Sequence, residues 1–442
     1  MTVISKLAEF VAKADVTALP AADRAVQQNH VLDALVAAAA AARTSEARSL
    51  AVLFGARARL ERIGGRAATI RLSEIDDIHL PSCTTPSAAA VATALSLAIE
   101  AGDFDPVRAA SAIWAGTETM TRLGEAVRGP EILYRGVWPS CFAAPLSAAA
   151  TAARMEGLDA DRTADALSHA LMLTTRGTGR PHGSPSFRWA MFAQAVAAGL
   201  SAVEAVLAGY RGDPALLDGK AFEETWGFAL DRDQLAGVCL TRSVYPELSL
   251  KPFCSAKQAI AAAEAFGKIL QSGIAPQSIT AMRVRVPPAY AGMISLKAQP
   301  GVRTSTFVSA ARQLALTAYA RPRLYDVDRT EPITDPAIMS LEAKVEIVAD
   351  DALAQYYPRA WPAEVEVVSE TGTVRERVIE ALGDPGRPLG AAELDAKAHR
   401  VLDPLIGRGA ADKLIEVGRR GLADASGCRA LANAFADCFA KP

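Results

Sequence analysis

The sequence predicts a mainly helical protein that carries a smaller α+β domain, and three observations support this. Half of the 442 residues are hydrophobic but only 6% are aromatic, and the excess is mostly alanine, which has the highest helix propensity. Helical periodicity runs from residue 1 to about 245 and returns at about 391, whereas the residues between include segments that alternate as strands do. Because a chain of this length is long enough for two domains, we expect a helical domain of residues 1–246 and 391–442, with an α+β domain of residues 247–390 inserted into it.

The helices are predicted from apolar spacing and from the residues at which that spacing stops. In residues 21–43, apolar residues recur at helical intervals from Val26 to Val36. Residues 45–65 end on Gly64-Gly65, a pair suited to a helix C-cap. Four further helical segments, with Gly or Asp at their ends, cover residues 87–105, 105–127, 140–159 and 191–210.

Strands are predicted only in the middle of the chain. Residues 277–290 alternate, and their candidates for an inward face are Ile279, Met282, Val284 and Val286. Residues 344–351 and 363–382 add two or three strands, the last two as a hairpin that turns at Thr371-Gly372. Helical periodicity then resumes in residues 391–407.

Charge and cysteine usage exclude several classes of protein. The net charge of −2 and the pI of about 6.3 give no basic surface for nucleic acid or a membrane. The six cysteines form no CxxC pair, so we expect reduced thiols. The first residues lack the features of a signal peptide, and no window reaches about 18 uncharged apolar residues. We therefore expect a cytoplasmic protein without a membrane span, either a small-molecule enzyme or a protein-binding scaffold.

The first polar segment is residues 74–91, EIDDIHLPSCTTPSAAAV. Asp76 and Asp77 are either solvated loop carboxylates or helix caps, or they orient His79 or a substrate hydroxyl, or remove a proton. A metal site is disfavoured because Asp-Asp-x-His supplies at most two or three ligands. His79 lies in a loop-like segment, whereas His30 lies within an amphipathic helix pattern and is interpreted as a surface or core-edge residue.

The second polar segment is residues 174–189, TTRGTGRPHGSPSFRW, in which three arginines accompany His182. Guanidinium groups match carboxylates in a bidentate manner, so Arg180 and Arg188 are candidates for binding an anion. The alternative is an exposed basic loop.

The third polar segment is residues 245–266, with Lys251 before a proline and Lys257 on the following helix. A lysine at a domain junction neutralises a substrate carboxylate or, when desolvated, acts as a base, and the alternative is a solvated lysine. Cys141, at a predicted helix start, is either a nucleophile or a buried structural thiol.

In order and spacing, these segments resemble the MmgE/PrpD family, which includes 2-methylcitrate dehydratases, cis-aconitate decarboxylases and an iminodisuccinate epimerase. Residues 75–98 resemble the family's paired aspartates before a His-Pro-Ser segment and an alanine-rich helix. Three further segments resemble its helix starts and its Lys-Pro-aromatic segment: residues 135–159, 187–212 and 250–265. The resemblance implies a helical domain with a lid-like α/β domain, usually as a homodimer. It also implies an active site between the domains that binds polycarboxylates and needs no metal or cofactor.

The resemblance places family site residues on this sequence unevenly. Asp77 and Lys251 fall on the family's active-site aspartate and lysine, whereas Thr85 and Trp138 fall on the positions of its two histidines. Much of the family's usual group of proton-transferring residues is therefore absent from the corresponding positions of this sequence.

Two further substitutions keep or add positive charge. Arg188 falls on the family's helix-start lysine, and Arg312 falls on the tyrosine of its second domain. Arginine does not serve as a base because its pKa lies far above neutrality. An anionic ligand is thus predicted, bound by Arg180, Arg188, Arg312 and the lysines.

The base of the predicted reaction is then His79, His182, Asp77 or Lys251. The sequence predicts an enzyme that removes a proton α to a carboxylate of a di- or tricarboxylate. Dehydration is the leading outcome, epimerisation or isomerisation follows closely, and decarboxylation ranks lower. One alternative is a carboxylate-binding protein on the same scaffold that has lost turnover, and another is a helical interaction scaffold without a small-molecule site.

Overall fold

The computed structural model of the protein describes residues 1–175, 187–330 and 333–440. The chain divides into two compact units. The first comprises the described parts of Met1–Pro181, Pro185–Leu248 and Leu402–Pro442, and the second comprises the described parts of Ser249–Val401. The fold is mainly helical with a small α+β part, which confirms the predicted fold class.

The first unit is built almost entirely from helices, with one short strand, β1 (Asp77–His79). Its helices are α1 (Val3–Lys13), α2 (Ala21–Ala41), α3 (Ser45–Phe54), α4 (Arg59–Leu72), α5 (Pro86–Ala101), α6 (Pro106–Ala126), α7 (Gly129–Tyr134), α8 (Pro139–Met155), α9 (Ala160–Met172), α10 (Phe187–Leu207), α11 (Ala221–Trp226), α12 (Arg232–Ala236), α20 (Arg408–Arg420) and α21 (Ala425–Asp437). Much of α2, α5 and α8 consists of buried alanines. Such small side chains let helix axes approach closely, so alanine fills this core.

The predicted C-cap at Gly64-Gly65 is wrong, because α4 continues through this pair to Leu72. The break falls earlier, between α3 and α4. A Cβ atom at Gly64 would lie 2.1 Å from the carbonyl oxygen of Ala193 on α10. Glycine at this position therefore allows close contact between two helices and does not end one.

By length and composition, α10 could cross a membrane, and it is the one such helix in the described part of the chain. In the structure it packs against α4, α8 and α9, and 61% of its most apolar window is buried. A Cβ atom at Gly199 would lie 2.1 Å from the carbonyl oxygen of Pro145 on α8. This helix is therefore a core element of the first unit.

The second unit combines helices with a four-stranded sheet. Its helices are α13 (Lys257–Gln271), α14 (Pro288–Ile294), α15 (Arg303–Val308), α16 (Ala310–Tyr319), α17 (Pro336–Ala343), α18 (Asp351–Ala354) and α19 (Ala391–Ile406), whose last turn belongs to the first unit. After β2 (Leu248–Leu250), its strands are β3 (Ile279–Val286), β4 (Val345–Ala349), β5 (Ala363–Ser369) and β6 (Gly372–Val378). The sheet order is β4-β3-β5-β6, with β3 and β4 parallel and the other pairs antiparallel.

The sheet agrees with the alternation read from the sequence. The four residues proposed for the inward face of β3 are all buried: Ile279, Met282, Val284 and Val286. The predicted hairpin is β5–β6, in which Ser369 pairs with Gly372 across a two-residue turn. Gly372 has a φ of 130°, a conformation that glycine adopts readily. Helix α13 packs on β5 and β6 and covers one face of the sheet.

Candidate active site

Residues 74–85 form a tight connection between α4 and α5, and they carry the first group of predicted site residues. The backbone N–H of His79 donates to the carbonyl oxygen of Thr84 at 2.8 Å. Glu74 and Cys83 have φ values of 57° and 55°, which are two of the three left-handed non-glycine values among the described residues. Such conformations are uncommon for L-residues and persist only where surrounding contacts hold them. This segment is therefore a shaped loop whose geometry is fixed by its packing.

Asp77 acts in this structure as a remote cap of α5. Its carboxylate is 1% exposed and accepts the Ser87 hydroxyl at 2.5 Å and the Ser87 backbone N–H at 3.3 Å. The Nδ1 atom of His30 on α2 lies 3.1 Å from the same carboxylate. Thr85, the N-cap residue, makes no side-chain cap of its own. Asp77 thus ties the loop to the start of α5 and to α2, as capping carboxylates do.

His79 is the buried histidine of the loop, with no exposed side-chain surface. Its Nδ1 lies 3.0 Å from the Ser82 hydroxyl, which lies 2.7 Å from the hydroxyl of Thr84. Its Nε2 makes no hydrogen bond to any described residue, and the carboxylate of Glu247 lies 3.8 Å away, outside hydrogen-bond range. The interaction with the His79 ring lowers the pKa of Glu247 below its ordinary value, against the opposing effect of partial burial. One ring nitrogen is therefore anchored, while the other is buried without a hydrogen-bond partner among the described residues.

Thr85 and Trp138 lie at the starts of α5 and α8, and Ser140 of α8 contacts Thr85. The Ser140 hydroxyl lies 3.1 Å from the Thr85 hydroxyl and 3.2 Å from its backbone nitrogen. The Trp138 ring lies 5.5 Å from the ring of Trp189 in the first turn of α10. The first turns of three helices thus meet through these side chains.

Two guanidinium groups stack on the two tryptophans. The Arg71 and Arg188 groups lie 5.1 Å and 5.3 Å from the centre of the Trp138 ring. They lie 5.5 Å and 5.7 Å from the centre of the Trp189 ring. Cation–π contacts of this kind stabilise the position of a guanidinium over an aromatic ring. We call Arg71, Trp138, Arg188 and Trp189 the arginine–tryptophan cluster.

The two arginines of this cluster differ in their electrostatic surroundings. Arg71 lies 3.3 Å from each of the carboxylates of Glu74 and Asp76. Burial opposes its charge, but these carboxylates outweigh burial and raise the pKa of Arg71. Burial lowers the pKa of Arg188, and Glu74 offsets that effect only in part. The pKa values of the two guanidinium groups are therefore shifted in opposite directions.

Cys141, in the first turn of α8, is fully buried, and burial raises the pKa of its thiol to about 12 although Arg71 and Arg188 oppose the shift. The thiol is therefore protonated at neutral pH, and since the thiolate is the nucleophilic form, the geometry favours a structural thiol.

The remaining predicted residues of the second polar segment, Arg180 and His182, lie outside the described residues. In the described part of the chain, no group of three or more His, Cys, Asp or Glu side chains is arranged to hold a metal ion.

The predicted lysines lie at the start of the second unit. Lys251 follows β2 directly and is 2% exposed. Lys257, the first residue of α13, forms an ion pair with Asp384. That carboxylate also accepts the Ser249 hydroxyl at 2.9 Å and the Ala381 backbone N–H at 2.8 Å. The charge of Lys257 is thus already neutralised, and a role in substrate binding stays a prediction.

Arg312, on α16, is also paired. It contacts Glu342 on α17 through Nε and through Nη2, the latter at 3.2 Å from Oε2. Both side chains line a cavity of about 360 Å³ in the second unit, with Lys297 and Ser309. An anion in this cavity would therefore compete with Glu342 for the guanidinium.

Within the first unit, contacts link most of the predicted residues. Thr85, Trp138 and Arg188 are joined through Ser140 and the arginine–tryptophan cluster, and His79 joins Thr85 through the turn to Thr84. Three residues with marked contacts here were not predicted as site residues: His30, Arg71 and Glu247. His30 is buried at 2% exposure, not at the surface or core edge as interpreted from the sequence. The signal for His30 was present, because Gln27, His30 and Asp33 place three polar side chains on one face of a buried alanine helix.

Two glycines, Gly124 and Gly129, lie very close to Ser82 in the loop of residues 74–85, and this close packing gives a testable prediction. A Cβ atom at Gly129 would lie 1.8 Å from the carbonyl oxygen of Ser82, and one at Gly124 would lie 2.7 Å from the Ser82 Cβ. We expect Gly129→Ala to lower the free energy of unfolding by about 1–3 kcal/mol and to move Ser82 relative to His79. Urea denaturation measures the first effect, and histidine NMR measures the second.

The matched control is Gly219→Ala, because a Cβ atom at Gly219 meets nothing within 4 Å. Equal stability and unchanged histidine signals in both variants would show that the loop does not depend on this contact.

Comparisons with known proteins agree with this arrangement. Residues 66–230 match the model of the MmgE/PrpD N-terminal domain, and residues 253–420 match that of the MmgE/PrpD C-terminal domain. No curated protein matches the chain significantly. The first match contains the loop of residues 74–85 and the arginine–tryptophan cluster, and the second contains Lys257 and Arg312. Since the two matches together span most of the 442 residues, the chain belongs to the MmgE/PrpD family.

Proposed function

We propose that the protein is a cofactor-independent lyase that removes a proton α to a carboxylate of a di- or tricarboxylate, with dehydration as the outcome. Membership of the MmgE/PrpD family suggests a dehydratase- or lyase-type enzyme acting on carboxylates. The observation that carries the proposal is His79, a fully buried imidazole whose Nδ1 is anchored and whose Nε2 has no hydrogen bond within the described part of the chain. A general base needs a fixed orientation and a nitrogen that can accept a proton.

In the proposed reaction, His79 Nε2 takes the proton from the carbon next to a carboxylate. The electrons of the broken C–H bond pass into that carboxylate as an enediolate. They then return to form a C=C bond as the hydroxyl group on the neighbouring carbon leaves. The imidazolium gives its proton to the departing hydroxyl, so that water is released and His79 is neutral again. Glu247, with its carboxylate 3.8 Å from Nε2, is placed to stabilise the positive ring between these steps.

The arginine–tryptophan cluster supplies the positive charge that an enediolate requires. Electrostatic stabilisation of developing charge is usually the largest contribution to such catalysis. Arg188 is assigned to bind the reacting carboxylate, because burial disfavours its charge and a bound anion reverses that effect. Arg71, paired with Asp76 and Glu74, is assigned to orient the side chains of the cluster.

Asp77 is assigned a positioning role in this proposal. Its carboxylate is occupied by His30 and Ser87, so it is not placed to take a substrate proton. It holds the loop that carries His79 against the start of α5.

The second candidate function is carboxylate binding without turnover. The resemblance places Thr85 and Trp138 where the family has histidines, and neither side chain transfers protons readily at neutral pH. The contacts of these residues with Ser140 and Trp189 support a binding surface as well as a catalytic one.

Epimerisation, isomerisation and decarboxylation remain alternative outcomes of the same proton or carboxylate chemistry. We also propose a cytoplasmic homodimer on the basis of the family resemblance, and light scattering of the purified protein tests the dimer.

The deciding experiment is proton–deuterium exchange by NMR. The purified protein is incubated in D₂O with 2-methylcitrate, citrate, cis-aconitate, malate and iminodisuccinate. We expect exchange or conversion of at least one compound, and loss of affinity for it in Arg188→Met. Arg128→Met is the matched control, because Arg128 is an exposed arginine of the same unit.

Conversion with loss of water supports the dehydratase, whereas exchange with inversion supports the epimerase. Tight binding of a carboxylate by calorimetry, without exchange of any compound, would instead support the binding protein and contradict the proposed enzyme.

A further inference from the structure

A second cavity lies in the first unit, outside the candidate active site. Its volume is about 230 Å³, and α3, α4 and the end of α21 line it. Its walls include the apolar side chains of Leu50, Phe54 and Phe439. A neighbouring cavity of about 510 Å³ shares Arg48 and Cys438 with it. No residue of the proposed catalytic machinery contributes to either lining.

Three arginines line this cavity: Arg48, Arg62 and Arg66. Within the described residues, none of them has a carboxylate within 4 Å. Instead, Arg48 donates to the carbonyl oxygen of Arg43 at 2.7 Å, and Arg62 donates to that of Arg57 at 2.9 Å. Three positive groups around one concavity, with no ion pair to a described carboxylate, create a local positive potential.

Arg66 is the most buried of the three, and its surroundings fix its position. It donates to the Ser96 hydroxyl at 3.1 Å, and its guanidinium lies 5.7 Å from the centre of the Phe439 ring. Burial lowers the pKa of Arg66, and Glu100 offsets this effect only in part. A bound anion would therefore relieve a desolvation cost that the free protein carries.

The rest of the cavity is suited to hydrocarbon. Phe54 and Leu50 are 2% and 5% exposed, so they form a closed apolar floor.

We propose that this cavity binds an anionic amphiphile, with a carboxylate or phosphate head on Arg48, Arg62 and Arg66 and an aliphatic chain on Phe54 and Leu50. A chain of about eight carbons suits a cleft of this volume. The concave, closed floor favours a small molecule over a protein surface, which is usually flatter. The site is independent of the proposed lyase activity, since it shares no residue with the arginine–tryptophan cluster or with the His79 loop.

Calorimetric titration with octanoate and with octyl phosphate tests the proposal. We expect saturable binding of at least one of them, and no comparable binding of octanol, acetate or an octylammonium salt. Binding of only one of the two anions identifies the head group. Arg66→Gln should weaken binding about tenfold or more, because charge-assisted hydrogen bonds to the head are lost. Ala51→Trp should abolish it by filling the cavity, since Ala51 lines the cavity and is itself exposed.

The matched control is Arg57→Gln, because Arg57 lies in the turn after α3 but does not line the cavity. Circular dichroism and thermal melting verify that each variant folds. Absence of binding to the unmodified protein would overturn the proposal, and so would binding that Arg66→Gln and Ala51→Trp leave intact. A change of oligomeric state in Ala51→Trp without any octanoate or octyl phosphate binding would assign this face to a second copy of the chain, which also overturns it.

Discussion

Replacement of His79 by glutamine should lower the rate of α-proton exchange by about 10²- to 10⁴-fold, the usual contribution of a well-placed general base. Glutamine keeps a polar group of similar reach but cannot accept a proton at neutral pH. Because His79 is fully buried and its Nδ1 is held by Ser82, its orientation is set before any substrate binds. We therefore expect the loss in kcat, with a smaller change in KM.

The measurement is the initial rate of deuterium incorporation into the carboxylate that the unmodified protein converts. The control is His169→Gln, a histidine in the last turn of α9 that takes no part in the His79 loop. If His79→Gln retains full activity, the base is another group, and Asp77, His182 and Lys251 become the residues to replace.

The helices and the sheet were predictable because their signals are local. Alternation in residues 277–290 gave the inward face of β3, and the apolar spacing in residues 21–43 gave α2. Gly64-Gly65 was misread because a glycine pair ends a helix or allows a close helix contact, and only the position of Ala193 decides between the two. That position depends on a helix more than one hundred residues later in the chain.

The site was less predictable because its contacts join residues far apart in sequence. One partner of Asp77 is His30, 47 residues away, and no spacing rule connects them. Arg71 is another case, because its neighbours Glu74 and Asp76 lie nearby in the chain, but the tryptophans that it contacts come from α8 and α10. Sequence patterns therefore indicated which segments carry polar chemistry, whereas tertiary packing decided which side chain serves as cap, cation or base.

Lys257 shows the same limit in the second unit. The sequence analysis interpreted Lys257 as a substrate-binding cation. In the structure, its ammonium group and the Asp384 carboxylate are both buried and paired. Lys257→Met should lower the free energy of unfolding by about 3–5 kcal/mol, because it leaves an uncompensated charge in the interior. Urea denaturation followed by circular dichroism measures this loss. Lys268→Met, on the exposed side of the same helix, is the control, and it should cost no more than about 1 kcal/mol.

The double variant Lys257→Met with Asp384→Asn separates a structural role from a ligand-binding one. Asparagine keeps an acceptor for the Ser249 hydroxyl and removes the charge that Lys257 neutralises. If the pair only anchors α13 to the segment after β6, the double variant should recover most of the stability lost in Lys257→Met and should keep full affinity for the carboxylate substrate. If Lys257 also holds substrate, stability should recover while the dissociation constant for that carboxylate rises about tenfold or more, since a charge-assisted contact is lost. A double variant no more stable than Lys257→Met would contradict the assignment of Asp384 as the cause of the loss, because removing its charge would then have relieved nothing.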